Sequence, residues 1–170
     1  MNFLKRIYNW TLKKEQHKNA KWYLSLISFV ESSFFPIPPD ILLIPMALAS
    51  KANALFYAFI CTLFSVLGGI LGYAIGYFFY NSVGIYIVEF YHLENSFSIF
   101  ENYYKEFGIL IVLGAGITPF PYKFITIASG VFGLNIFLFA IVSIIGRGLR
   151  FYLIAILLYF FGEKIRLIID

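Results

Sequence analysis

The sequence predicts an all-α polytopic membrane protein: an inverted repeat of two re-entrant, proline-broken helical hairpins and two spanning helices, plus an interfacial amphipathic helix. Of the 170 residues, 61% are hydrophobic and only 13% are charged, which leaves too little polar surface for a water-soluble globule. Two similar proline elements, residues 36–40 and 119–123, each lie within a long apolar stretch. Lipid cannot satisfy the backbone groups that a proline break sets free, so such breaks lie inside protein or beside a watery cavity. We expect one membrane domain over residues 1–170.

The N-terminal segment, residues 1–21, is basic. Its only acid is Glu15, whereas its cations are Lys5, Arg6, Lys13, Lys14, Lys18 and Lys21. The positive-inside rule places this segment in the cytoplasm, and Lys164 and Arg166 place the C-terminus there as well. Attraction to lipid headgroups explains the basic cluster, so no nucleic-acid partner is expected.

The first repeat is expected to cover residues 22–80. Its first apolar block, Trp22 to Ser50, is broken at Pro36, Pro38 and Pro39, and its second block, Asn53 to Tyr80, is unbroken and long enough to span a membrane. Gly68, Gly72 and Gly76 recur every four residues in the second block, which indicates close helix packing. Packing within the monomer is favoured over a dimer seam, although a homo-oligomer remains an alternative.

The second repeat, residues 107–162, has the same order of blocks. Phe107 to Leu134 is broken at Pro119 and Pro121, and Asn135 to Phe161 is unbroken. Between the repeats, residues 81–106 are acidic, and their aromatic side chains are spaced as in an amphipathic helix that lies at the membrane interface.

The broken blocks could be re-entrant hairpins or full crossings. Both arrangements leave the two termini in the cytoplasm, but re-entry places Lys51 inside and Lys105 outside, and four crossings do the reverse. Each proline break lies near the middle of its block, so each arm is roughly 18 Å of helix, shorter than a bilayer core of roughly 30 Å. This length favours two hairpins that enter from opposite faces and meet at their tips, as in many secondary transporters.

Five charged residues lie within the apolar blocks. Each would be unfavourable by roughly 2.5 to 3.5 kcal/mol at the bilayer centre if it were unpaired, so these residues must pair or be hydrated. Three cations against two acids favour an anion, and the arginine fork matches phosphate oxygens. The sequence therefore predicts phosphate-headgroup binding and proton coupling, with structural ion pairs as the alternative. The predicted headgroup ligands are Lys123, Arg147 and Arg150, and the predicted proton-coupling acids are Glu31 and Asp40.

The same residues resemble the signatures of the DedA family, the SNARE-associated or VTT-domain membrane proteins, and especially its YqaA-like branch. The resemblance is carried by residues 34–40 after Glu31, by residues 118–123, and by residues 146–151 around the two arginines. It implies facing re-entrant hairpins in the bacterial inner membrane, and a role in lipid homeostasis as a proton-dependent transporter or a translocase of undecaprenyl phosphate or phospholipid. Larger members carry an arginine where Gly116 stands, and Lys123 falls one position from a second one.

The function predicted from these features is a membrane lipid transporter, with proton-linked flipping of an anionic phosphate-headgroup lipid. The alternatives are a proton-coupled transporter of small ions or solutes, and a non-catalytic membrane assembly protein. An enzyme is not expected, because no nucleophile and base pair is visible and the two histidines, His17 and His92, lie outside the apolar blocks. Cys61 is the single cysteine and no metal-ligand spacing occurs, so no catalytic residue, metal or cofactor is predicted. The expected partners are membrane lipids and protons.

Overall fold

The protein is described by a computed structural model that covers residues 19–34 and 38–169, with side chains up to residue 162. The basic segment before residue 19, Pro36 and the side chains of Lys164 and Arg166 lie outside the described part. The described residues are helical and contain no β-strand. Their α-helices are α1 (Ala20–Ser33), α2 (Asp40–Ala49), α3 (Ala54–Phe79), α4 (Ile85–Phe90), α5 (Glu94–Ile117), α6 (Tyr122–Val131) and α7 (Ile136–Ile169).

Two helical stretches are long and apolar enough to cross a membrane. The first runs from Lys51 to Phe90 and the second from Ile136 to Gly162. The first stretch contains α3, a π-helical turn at Tyr80–Gly84, and α4. Both correspond to the unbroken blocks of the sequence.

Prolines end or begin the helices at both breaks. Pro39 precedes α2 with φ −65°, a value that its ring fixes and that suits the entry into a helix. At the second break α5 ends at Ile117, because Thr118 precedes Pro119 and is extended, with ψ 164°. Pro121 then leads into α6. Each broken block therefore contains two helices with prolines between them.

The first pair, α1 and α2, begins and ends at the same end of the molecule. At the start of α1, the Lys21 ammonium lies 4.9 Å from the ring centroid of Phe56, which is in the first turn of α3. At the end of α2, the Leu48 Cδ2 atom lies 3.0 Å from where a Cβ on Gly162 of α7 would be. The chain therefore turns back at the first break.

The second pair, α5 and α6, also folds back on itself. The Tyr104 hydroxyl, in the first half of α5, lies 2.7 Å from the Ser129 hydroxyl near the end of α6. The Tyr73 hydroxyl, late in α3, donates to the Leu134 carbonyl just beyond α6, at 2.6 Å. The base of the second pair thus lies beside the end of α3, whereas the base of the first pair lies beside its beginning.

Helix α3 packs against both pairs through its glycines. A Cβ on Gly68 would overlap the carbonyl oxygen of Phe29 in α1, and a Cβ on Gly76 would overlap that of Ile127 in α6. At Gly72 a Cβ would overlap the Thr126 hydroxyl. These close approaches place the glycine face of α3 inside the monomer.

The structure differs from the predicted interfacial helix of residues 81–106. Residues 81–90 continue the helical stretch of α3, and the chain turns at Tyr91–Leu93, where His92 adopts a φ of +54°. Residues 94–106 form the first half of α5, which continues unbroken into the apolar block. No proline separates the acidic residues 94–106 from the apolar residues that follow them. The helix therefore continues through the point where the polarity of the sequence changes.

Candidate ion-pair site

Arg147 is buried in the middle of α7 and pairs with Glu31 of α1. Its Nη2 atom donates to Glu31 Oε2 at 2.7 Å, and its Nε atom donates to the Ser65 hydroxyl of α3 at 2.6 Å. The Ser32 hydroxyl lies 2.6 Å from that of Ser65 and donates to Glu31 Oε2 at 3.0 Å. Three helices thus supply a closed ring of four polar side chains.

Two aromatic rings enclose the same guanidinium. Its central carbon lies 4.9 Å from the ring centroid of Tyr122 and 4.7 Å from that of Phe151. The Tyr122 hydroxyl donates in turn to the Ser143 hydroxyl. Cation–π contacts of this kind are strongest where water is excluded, and the Arg147 side chain is only 1% exposed. Arg147 therefore joins α7 to the first helix pair through Glu31 and to the second through Tyr122.

Arg150, three residues later on α7, bridges the two breaks. Its Nη2 atom donates to Asp40 Oδ2 at the first residue of α2, and its Nη1 atom donates to the Thr118 carbonyl at 2.6 Å. The Arg150 and Asp40 side chains are 15% and 19% exposed. The second oxygen of the carboxylate, Asp40 Oδ1, is buried and has no hydrogen-bond partner in the described part of the chain.

Lys123 is in the first turn of α6 and has no ion-pair partner among the described residues. Its ammonium lies 5.4 Å from the ring centroid of Phe124, and its side chain is partly exposed. The two acids are paired with the two arginines, so Lys123 supplies the surplus positive charge of the cluster.

A cavity of about 250 Å³, here called the tip cavity, lies where the two breaks meet α7. It takes residues from both breaks, the two arginines and one acid. The lining residues are Glu31, Pro38, Pro39, Pro119, Phe120, Pro121, Lys123, Phe124, Arg147 and Arg150. Asp40 does not line the cavity itself, but it contacts Arg150, which does.

The structure brings together the five charged residues that the sequence singled out, although they come from four helices. Glu31 pairs with Arg147, Asp40 pairs with Arg150, and Lys123 shares the cavity lining with both arginines. Among the predicted break residues, Pro38, Pro39, Pro119 and Pro121 line the cavity. The roles predicted for these five residues in headgroup binding and proton coupling stay predictions. The Nε and Nη2 atoms of Arg147 already have partners within the protein.

Sequence reasoning missed the polar and aromatic groups that hold Arg147. Ser65 lies in an otherwise apolar span and could have been noticed there. Ser25, Ser28 and Ser32 repeat at helical spacing and lie buried on α1, which is a signal for a polar contact face. Tyr122 and Phe151 carried no such signal among the many aromatic residues of this chain.

Comparison with known proteins finds relatives that match nearly the whole chain. A protein of Haemophilus influenzae (strain Rd) is 37% identical over 164 residues, which cover 96% of this chain and 85% of that protein. A Histophilus somni protein is 35% identical over 167 residues, with 96% and 85% covered. The chain belongs to the family of these two proteins. Both are named as uncharacterized proteins, and no family model and no solved structure matches the chain.

Proposed function

We propose that this chain is a DedA-like inner-membrane lipid transporter that flips an anionic phosphate-headgroup lipid in a proton-linked manner. The observation that carries the proposal is the tip cavity, in which prolines of both breaks meet charged side chains of α1, α6 and α7 in a protein that is 61% hydrophobic. Broken helices that meet at a polar cavity are the arrangement by which many transporters expose one site to either side of a membrane in turn.

The packing supports a membrane location with an inverted repeat. Each half is a broken helix pair followed by a helix of spanning length, and the two pairs have their bases at opposite ends of α3. Large apolar side chains such as Phe78, Phe137 and Phe160 point outward, as expected for a surface that faces lipid. The pairs then act as re-entrant hairpins whose tips meet near the midplane.

Phosphate is the ligand that best fits the charges of the cavity. Lys123 carries a positive charge without an acidic partner in the described chain, and Arg150 lines the cavity beside it. Arginine binds phosphate oxygens through several donors, and lysine adds a point charge. Phospholipids and undecaprenyl phosphate both offer this headgroup chemistry, and Glu31 and Asp40 are the acids that could carry the proton.

Flipping in proteoliposomes tests this function. Vesicles that contain the purified protein and a trace of fluorescent phosphatidylglycerol are treated with dithionite, which bleaches only the outer leaflet. We expect wild-type protein to expose inner-leaflet lipid to bleaching, and Lys123→Met to slow this exposure because the surplus charge is lost. Bleaching that matches protein-free vesicles, with folded protein in the membrane, would contradict the proposal.

The orientation is testable separately. The hairpin arrangement places both termini and Lys51 in the cytoplasm and Lys105 on the opposite side. Cysteines introduced at positions 51 and 105, after replacement of Cys61, should be labelled by an impermeant maleimide from opposite faces of the membrane. Labelling of position 51 from the outside would reject the hairpins.

A further inference from the structure

The Asp40–Arg150 pair is held by fewer contacts than the Glu31–Arg147 pair. Arg147 is 1% exposed and is fixed by an acid, a serine and two rings, whereas Arg150 is 15% exposed and is held by one acid and one backbone carbonyl. Both arginines line the tip cavity. The carbonyl that anchors Arg150 is that of Thr118, on the second break. An anion that replaced Asp40 would therefore meet an arginine that is still held in place.

Asp40 has one ion-pair partner, Arg150, among the described residues. One of its oxygens contacts Arg150, and the other is buried without a partner among the described residues. Helix α2 packs against α3 and α7, and from these helices Asp40 interacts electrostatically with Cys61, Arg147 and Arg150. Of these groups only Arg150 is ion-paired with Asp40, and Arg147 is ion-paired with Glu31. An anion that took Arg150 would therefore leave a mostly buried carboxylate without an ion-pair partner. Such a group neutralises by binding a proton.

We infer that a phosphate anion entering the tip cavity takes the place of Asp40 at Arg150, and that Asp40 takes up one proton from water in the same step. The inference rests on the function proposed above and selects Asp40, rather than Glu31, as the residue that carries the proton. Glu31 and Arg147 stay paired throughout and hold α1 to α7.

This exchange keeps the charge of the site constant. The empty site holds one carboxylate and one guanidinium, and the loaded site holds a neutral carboxyl, the guanidinium and a singly charged phosphodiester. A site whose net charge stays constant can open first to one side of the membrane and then to the other without exposing a new charge to a low-dielectric surrounding. Anion and proton bind together and move in the same direction, so each strengthens the binding of the other.

Calorimetric binding measurements test the exchange. The detergent-purified full chain is titrated at pH 7.5 with dihexanoyl phosphatidylglycerol and, separately, with dimethyl phosphate, each in two buffers of different ionisation enthalpy. Both probes are phosphodiesters that keep one negative charge at this pH, so any proton uptake belongs to the protein. We expect about one proton per bound ligand in wild type and in the matched control Glu101→Gln, and none in Asp40→Asn. Affinity for lipid alone assigns the site to a lipid headgroup, and equal affinity for both probes assigns it to phosphate in general.

Wild-type affinity gives a second measure that does not depend on how well the Asp40 variant folds. It should strengthen by about tenfold for each unit that the pH falls between 8 and 6. The exchange would be overturned by binding without proton uptake, or by proton uptake that persists in Asp40→Asn. Neither result would contradict the proposed lipid translocation. Failure of both probes to bind folded wild-type protein would overturn both the exchange and the proposed phosphate site.

Discussion

The two ion pairs on α7 have the same chemistry and different surroundings. Glu31–Arg147 and Asp40–Arg150 each join a carboxylate of the first helix pair to an arginine, and the arginines are one helical turn apart. Both arginines line the tip cavity, but Arg147 is enclosed by a serine and two aromatic rings, whereas Arg150 is more exposed and binds a backbone carbonyl. Burial and the number of partners, rather than residue type, distinguish the two pairs. We therefore expect the first pair to hold the fold and the second to exchange partners.

Removal of each arginine should show the largest difference between the pairs. Arg147→Ala leaves Glu31 without its cation in a buried site, and we expect a loss of about 3–5 kcal/mol in the free energy of unfolding. Arg150→Ala should cost about 1–3 kcal/mol, because its pair is partly exposed. Reversible unfolding in mixed micelles with increasing dodecyl sulfate measures both. Equal losses would show that the two pairs do not differ in this way.

A second experiment compares what anchors each arginine. Ser65→Ala removes the hydroxyl that accepts from Arg147 Nε, so a buried donor is left unpaired and stability should fall by about 1–3 kcal/mol. Thr118→Ala is the matched control, since Arg150 binds the backbone carbonyl that this substitution retains. The same unfolding assay should show little change for Thr118→Ala. A larger loss there than at Ser65 would argue against the assignment of Arg147 as the enclosed arginine.

A small effect is expected for Tyr122→Phe, since the ring of Tyr122 covers Arg147. Tyr122→Phe keeps the ring over the guanidinium and loses only the hydrogen bond to Ser143, so the loss should be about 0.5–1.5 kcal/mol. Tyr122→Ala removes the ring as well and should cost considerably more. If the two substitutions cost the same amount, the ring does not help to hold Arg147.

Much of the local structure could be predicted from the sequence. Proline positions predicted both breaks, because the backbone geometry of proline and of the residue before it disfavours a helix interior, as at Thr118 and Pro119. The rule has an exception here, since Pro45 lies inside α2. The unbroken apolar runs predicted the two long helices. These features depend on neighbouring residues, so one sequence is enough to find them.

The pairing of the charges could not be predicted in the same way. Glu31 and Arg147 are 116 positions apart, and Asp40 and Arg150 are 110 apart. Which acid meets which arginine depends on how α1 and α2 dock against α7, and that is set by close approaches such as Phe29 on Gly68. The difference in enclosure between the pairs also arises only when Tyr122 and Ser65 are brought in from other helices.

The pH-driven distribution of lipid between leaflets is the most direct test of proton-linked translocation through Asp40. Proteoliposomes with fluorescent phosphatidylglycerol are given an acidic exterior and an alkaline interior, and the lipid left in the outer leaflet is measured by dithionite bleaching. With wild-type protein the lipid should move inward with the protons, so the bleached fraction should fall below that without a gradient. Asp40→Asn should still exchange lipid slowly between the leaflets, but its bleached fraction should not change with the pH gradient. A wild-type distribution that does not respond to the gradient, or an Asp40→Asn protein that responds as wild type does, would contradict the account.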